Sequence, residues 1–298
     1  MSLLLDRLFD GITNGCVYAI MALALVIVFR GSGTINFAQG ELALFTTYIA
    51  WWLTTLGAPI WAGLVVSAVA GLVLGAGIER TLIRPVRRRN DMAVLIVCLG
   101  LFTALNALAG LLWNSETKVM PSVFPNGLDD YVAIGGARLY FDGLGVWLVV
   151  LVVVALMFLL FNRTRLGLHM RAVANAPESA ALSGVRTGRV LMFGWAVSAA
   201  IGAVAGVLVT PLSPQQLGLQ TMFPILIYAS AAALFGGLDS PIGAVVGGLV
   251  LGVLQQLIMG YVGFIGDTLP QTAALTIIVA VLVVRPTGLF GTRQLERV

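Results

Sequence analysis

The sequence predicts an all-α fold: a polytopic transmembrane helix bundle of eight or nine spans, some discontinuous, in one domain over residues 1–298. Three observations predict it. Of the 298 residues, 59% are hydrophobic and 10% charged, and mean hydropathy is +1.00, whereas an average soluble chain carries about a quarter charged residues. Charged side chains leave long silent stretches between them, and the basic ones gather in three short segments. This composition excludes a disordered chain, a disulfide scaffold and a nucleic-acid-binding domain, despite a formal net charge of +4. Cys16 and Cys98 lie in apolar runs, where a thiol behaves as a small hydrophobe. Residues 1–5 lack the basic region of a cleavable leader.

Residues 11–29, 92–115, 143–162, 240–266 and 268–284 contain no Asp, Glu, Lys or Arg, and roughly 20 apolar residues cross a bilayer as a helix. Two longer charge-free stretches each hold two helices. Residues 42–78 break at Gly57-Ala58-Pro59, and residues 190–238 break around Pro211, Pro214 and Pro224, because proline lacks the donor a helix interior needs. The count is nine, or eight if the second or seventh crosses only in part. Thirteen of the 17 basic residues fall in three places: Arg80, Arg84, Arg87, Arg88 and Arg89; Arg163, Arg165, Arg171, Arg186 and Arg189; and Arg285, Arg293 and Arg297. The positive-inside rule puts all three in the cytoplasm. Two and then four spans separate them, so the topology agrees with itself, with the N-terminus outside and the C-terminus inside.

Residues 114–142 form the one sizeable extracytoplasmic segment, with Glu116, Asp129, Asp130 and Asp142 against Lys118 and Arg138. Tyr131–Ile134 and Arg138–Phe141 flank Gly135-Gly136, which predicts a small hairpin. The segment reads either as a plain connector or as a landing surface for an external protein. Glycines four apart (Gly11 and Gly15, Gly71 and Gly75, Gly202 and Gly206, Gly243 and Gly247, Gly248 and Gly252) predict close helix approach.

No enzyme constellation emerges. The only histidine, His169, sits in a basic loop, and the only lysine, Lys118, follows Thr117 and closes no phosphate-cradling Gly-Lys-Ser/Thr motif. Uphill transport driven by ATP therefore requires another chain to hydrolyse it. An intramembrane series of Asp, Glu and His is also missing from the pattern, which counts against a proton pump. The candidates for a translocation path are the polar residues of the spans: Asn14 and Tyr18 one turn apart, Asn36, Gln39 and Glu41 at the head of the second span, and Asn106 in the fourth. Each has a second reading. Glu41 is either a path residue, since an ionisable group in a membrane is expensive, or an interfacial carboxylate at the positive end of its helix. Asn36 and Gln39 could donate to a polar solute or cap that helix, and Asn14, Tyr18, Asn106, Gln255 and Gln256 fit interhelical hydrogen bonding as well as solute. Within residues 163–190, Asn175 or Ala176 should precede a two-turn helix with Pro177 in its first turn, Glu178 on its dipole and Gly184 at its end. So short a helix needs a partner, which favours a peg that docks into another cytoplasmic subunit over a solvated linker.

At these residues the sequence resembles the permease subunits of branched-chain amino acid ABC importers, in particular the shorter permease of the usual pair. Four ordered motifs carry the resemblance. The first is Gly11-Ile12-Thr13-Asn14-Gly15 leading to Ile35-Asn36-Phe37-Ala38-Gln39-Gly40-Glu41, with Gln39 where the family often has histidine. The second is Arg171-Ala172-Val173-Ala174-Asn175-Ala176-Pro177-Glu178-Ser179-Ala180 with Gly184, similar to the family's coupling loop. The third is Phe235-Gly236-Gly237-Leu238-Asp239-Ser240-Pro241-Ile242-Gly243-Ala244 followed by Gly247-Gly248, and the fourth is Arg285-Pro286-Thr287-Gly288-Leu289-Phe290-Gly291. The resemblance implies a multi-pass subunit of a bacterial plasma (inner) membrane, partnered by a second permease, two cytoplasmic ABC ATPases and an extracytoplasmic solute-binding protein. It implies ATP with Mg on the ATPases and no cofactor on this chain. It also gives Arg171, Ala172, Asn175, Pro177, Glu178, Ala180 and Gly184 to ATPase coupling, so that charge or bulk at Ala180, or loss of Arg171, should lower solute-stimulated ATP hydrolysis. Permeases for urea, short amides or pentoses share this architecture. An ion-driven secondary transporter is the alternative from a different class, and a membrane enzyme a third.

Overall fold

The computed structural model describes residues 2–87, 91–212, 216–261, 270–285 and 287–291. Arg88, Arg89, Pro214, Pro286, Arg293, Arg297 and the link 262–269 lie outside the described residues. In chain order the elements are α1 (Ser2–Ser32), α2 (Gln39–Thr55) and α3 (Ile60–Ile78), the last running through a π-turn, Glu79–Ile83, into α4 (Arg84–Arg87). Then come α5 (Asp91–Trp113), β1 (Lys118–Val119), β2 (Tyr131–Ile134), β3 (Ala137–Tyr140) and α6 (Phe141–Arg163). The chain continues with α7 (Arg165–Asn175), α8 (Pro177–Leu182), α9 (Thr187–Val209), β4 (Gln216–Leu217), α10 (Met222–Gly236), α11 (Pro241–Tyr261) and α12 (Pro270–Val284).

Among the described residues nine apolar helices stand at the nine apolar stretches, and six of them are long and apolar enough to cross a membrane. The others, α2, α10 and α12, have 17, 15 and 15 residues. At 1.5 Å per residue these reach about 25 and 22 Å, short of a hydrocarbon core of about 30 Å. The second, seventh and ninth helices are therefore the short ones, the first two as the proline breaks imply. Gly57, at φ +87°, and Pro59, capping α3, make the first break. Pro224 makes none: it lies in the first turn of α10, where a missing N–H costs nothing. The second break lies between Val209 and Met222 instead.

The centre of the bundle is α1, buried on every side over residues 15–28 and packed by α6, α9, α10 and α11. A helix apolar all round belongs in that position. Its tightest neighbour is α11, antiparallel to it. Side chains added at Gly11 and Gly15 would meet the Cα atoms of Val253 and Leu249 at 2.8 and 2.9 Å, and ones at Gly248 and Gly252 would strike the backbones of Ala19 and Gly15. Gly71 and Gly75 of α3 lie the same way on the backbones of Ala199 and Trp195 in α9. Two of the sequence motifs prove to be each other's partners: Leu289 and Phe290 N–H donate to the Phe235 and Gly236 carbonyls at 2.8 and 3.0 Å. Outward faces of α3, α5 and α6 carry Val73, Leu99, Leu111, Leu151 and Leu156 exposed, as lipid contact requires.

The two ends of the bundle differ. At one, β2 and β3 pair antiparallel, Tyr131 opposite Tyr140, through Gly135 and Gly136 at φ +60° and +84°, the pattern of a type I′ hairpin turn. There Arg138 N–H donates to Asp6 Oδ1 at 2.7 Å, tying the hairpin to the start of α1. Lys118 and Val119 pair with Leu217 and Gln216, so the 114–142 segment is also strapped to the chain after α9. At the other end lie Arg30, the α7–α8 elbow, Arg84 and the tail that docks on Gly236. Asp10 and Arg30 are twenty residues apart on one straight helix, about 30 Å.

Glycine contacts of this kind should be intolerant of even one methyl group. Gly248→Ala should destabilise the detergent-solubilised protein by at least about 1–3 kcal/mol. Gly77→Ala, where an added methyl meets nothing within 4 Å, should be neutral or stabilising by up to about 1 kcal/mol. Retention of a monodisperse chromatographic peak after heating measures both, and a Gly248→Ala protein as heat-resistant as the parent would contradict the packing.

Candidate functional site

The head of α2 is built from local hydrogen bonds. Asn36 Oδ1 accepts from Ala38 N–H at 3.1 Å, its Nδ2 donates to Gln39 Oε1 at 3.3 Å, and the helix starts at Gln39. Gln39 then reaches into α9, where its Nε2 donates to the Ser198 carbonyl at 2.9 Å. The Ser198 hydroxyl lies 2.9 Å from Gln39 Oε1 and 2.8 Å from the Ala24 carbonyl of α1. Room for this comes from Gly202, at which a side chain would stand 2.5 Å from Gln39 Nε2. Three helices, α1, α2 and α9, are latched by one buried carboxamide and one hydroxyl. Asn36 and Gln39 therefore spend their polar atoms on the fold.

Glu41 is 1% exposed and lies two residues further along α2. Asn106 of α5 donates from Nδ2 to Glu41 Oε2 at 3.0 Å and to the Leu219 carbonyl at 2.9 Å. One amide group thereby bridges α2, α5 and the loop ahead of α10. Two turns beyond Glu41, Tyr48 stacks on Trp113 with centroids 5.3 Å apart and planes at 11°. The Tyr48 hydroxyl is buried without a hydrogen-bond partner. The partner of Glu41 comes from a helix 65 residues away in sequence.

Tyr18 and Asn14 share a face of α1 but not a surrounding. Tyr18 donates to Gln255 Oε1 of α11 at 2.9 Å and tilts against Tyr228 of α10, centroids 5.3 Å apart. Asn14 instead lines an open cleft of about 450 Å³ at the hairpin end, together with Asp10, Asp142 and Gln256. The six path candidates thus separate into a latch (Asn36, Gln39), a bridge (Glu41, Asn106), a buried pair with Gln255 (Tyr18) and one group that faces open space (Asn14).

The opposite end carries the elbow. Thr164 caps α7, its Oγ1 accepting from Gly167 N–H at 3.1 Å. Ala176 precedes α8, Pro177 occupies its first turn, and Gly184, at φ +85°, follows its end. Val173, Ala180, Val190 and Leu191 form a small core that holds the elbow to the start of α9. Ala180 is 6% exposed, and its methyl belongs to this inner core. Asn175, Pro177 and Glu178 are exposed, and Arg171 and Ala172 are half-buried, Arg171 with a buried Nε that has no hydrogen-bond partner. Leu182 is 90% exposed, and the sequence motif passes over it; its signal was a leucine at the end of a short helix of otherwise small and polar residues. A second omission is Glu79, buried and held by Arg84 at 2.7 Å, while Arg84 also donates to the Gly188 carbonyl at 2.7 Å. This pair joins the end of α3 to the start of α9, just beyond the elbow.

Residues 7–285 match the family described as the permease component of branched-chain amino acid transport systems. The chain belongs to that family. It is 29% identical to the high-affinity branched-chain amino acid transport system permease protein LivH of Escherichia coli (strain K12), over 99% of this chain and 97% of LivH. It is 30% identical to the corresponding protein BraD of Pseudomonas aeruginosa, over 99% and 98%. The ribose import permease protein RbsC of Haemophilus influenzae is more distant, 23% identical over 84% and 76%. As a permease of this family the chain is a multi-pass membrane transport subunit.

The Glu41–Asn106 bridge makes a direct prediction. Asn106→Ala leaves a buried carboxylate without its amide donor and should cost about 1–3 kcal/mol. Glu41→Gln in the same background should recover part of it. Thermal unfolding of the four proteins of that cycle measures the coupling, and additive effects would show that the bridge carries no energy.

Proposed function

We propose that this permease carries branched-chain amino acids (Leu, Ile, Val) inward across a bacterial plasma membrane, driven by ATP hydrolysed on separate subunits. A second permease completes the path, two cytoplasmic ABC ATPases hold ATP and Mg, and an extracytoplasmic solute-binding protein delivers the solute. The chain itself binds no cofactor. The positive-inside rule assigns the elbow end, which gathers Arg84, Arg171, Arg186 and Arg189, and with it the C-terminus, to the cytoplasm. Support for the solute class is the near-complete coverage of LivH and BraD against the weaker likeness to RbsC.

The observation that carries the proposal is Leu182, an apolar side chain standing clear on a six-residue helix between two spans. A helix of six residues is not stable alone, and a groove on another protein would give it and this leucine a partner. Force applied at α8 has a short route into the bundle. The Val173–Ala180–Val190 core passes it to α9. From there Gly71 and Gly75 carry it to α3, Gln39 and Ser198 to α2 and α1, and Arg84 to the π-turn. Closure of the ATPases around ATP would thereby rock several helices together, and the drive is the differential affinity of ATP for the two arrangements.

In proteoliposomes holding the complete complex, Leu182→Glu should lower solute-stimulated ATP hydrolysis about tenfold, the effect of losing a docking residue worth about 1–2 kcal/mol. Melting of the bundle should not change. Normal coupling by that variant would refute the docking role, and accumulation of solute by the chain alone on an ion gradient would replace the ATP-driven reading altogether.

A further inference from the structure

We propose that a second cleft, between the hairpin-side ends of α2 and α5, holds one anionic phospholipid of the leaflet at that end, its phosphate on the Lys118 ammonium and an acyl chain along α5. The inference needs only that the chain spans a membrane and does not depend on which solute it carries. The cleft is open, about 830 Å³ in volume, within the roughly 300–1,000 Å³ of small-molecule sites. Trp51 and Trp52 of α2 line it, with Leu111, Leu112 and Trp113 of α5 and Lys118.

Local structure brings the ammonium there. At the end of α5 the chain turns through Asn114, at φ +73°, a left-handed conformation that asparagine tolerates. Pairing of Lys118 with Leu217 then fixes β1, and Lys118 Nζ comes to lie over the Trp51 ring, 5.7 Å from its centroid. The Lys118 side chain is 17% exposed. Its one hydrogen-bond acceptor among the described residues is Glu116 Oε2, at 3.4 Å, on a side chain that is 77% exposed. So exposed and long an ion pair holds little energy. An ammonium has three donors, and those that Glu116 leaves are open to the oxygens of a phosphate.

Below the ammonium the wall is bare hydrocarbon. Leu111 is 82% exposed and Leu112 63%. From Leu111 the exposed face continues through Ala107, Thr103, Leu99 and Ile96, three or four residues apart and so on one side of α5. Fifteen residues of helix run about 22 Å, more than the roughly 15 Å depth of one leaflet's hydrocarbon. An acyl chain lying on this stripe therefore ends at the cleft, where the tryptophans suit the headgroup level and the ammonium meets the phosphate. Phosphatidylcholine brings a cation of its own, which Lys118 repels; phosphatidylglycerol brings none. A free phosphate or an amino acid could use the ammonium but gains nothing from the stripe.

Lys118, the only lysine in the chain, is also the probe. Reductive methylation with isotopically labelled formaldehyde gives it an NMR signal in the purified full chain, and Lys118→Arg, which lacks that signal, identifies it. In phosphatidylcholine nanodiscs, added phosphatidylglycerol should shift the resonance and saturate at a single lipid per chain. Leu111→Asn, at an exposed position, should weaken that binding at least about threefold through lost apolar contact. Inorganic phosphate or leucine at the same concentration should leave the resonance in place. A shift that grows with phosphatidylglycerol and never saturates reports surface charge alone and overturns the site. An equal shift with phosphate or leucine overturns it as well, by giving the cleft to a soluble anion or a solute. So does a Leu111→Asn chain that titrates like the parent.

Discussion

Backbone contact between α1 and α11 is the constraint on which the rest of the molecule depends. With lipid outside and no water to expel, membrane helices gain little from burying leucine against leucine, and close approach is what lets dispersion act. Gly11, Gly15, Gly248 and Gly252 bring the two main chains together along an antiparallel seam. Once α11 is fixed there, its other face receives α10, where Gly236 and Gly243 meet backbone to backbone and Gly247 meets Ala232. The turn between them is then closed by the 288–291 tail. A second glycine seam, α3 on α9, fixes the far side. The polar latch at Gln39 joins the two halves, and it exists only because Gly202 and Gly206 leave space for Gln39 and Thr47.

How much of this the sequence discloses depends on the range of the interaction that decides each feature. The helices were legible because hydrophobicity and charge spacing are local, and so was the hairpin at Gly135-Gly136. The elbow was legible because Pro177 and Gly184 bracket it. Helix length was less so: the charge-free stretches overstate α2 and α10, whose ends are set by Asn36 and Gly57 and by the chain after Val209. Glycine spacing announces close approach but not which helix approaches. The partner of Gly15 is 234 residues away.

Buried polar groups were the least legible class, for a physical reason. A Gln or Asn inside a membrane must be hydrogen-bonded, yet the sequence does not say to what. Gln39 and Asn106 look like Asn14 in composition and setting; only the fold shows that the first two are consumed by Ser198, Glu41 and Leu219. The same blindness hid Glu79, which closes the charge-free stretch 42–78 and looks interfacial until Arg84 and Gly188 enclose it. Nor does the sequence show that the elbow's own core takes the Ala180 methyl.

That sorting bears on how such a subunit separates stability from transport. Groups that join helices are satisfied in pairs: Tyr18 with Gln255, Glu41 with Asn106, Gln39 with Ser198. They bind α1, α2, α5, α9 and α11 into units that move as wholes, so a push at one end is not dissipated in rearranged hydrogen bonds. Groups left over appear at the two ends, Asn14 facing the open hairpin cleft at one and the exposed Leu182 at the other. About 30 Å of α1 separates them, and no polar group on its buried face between Gln255's partner Tyr18 and Arg30 offers a solute a foothold. A solute crossing that distance meets only apolar side chains along this stretch of α1.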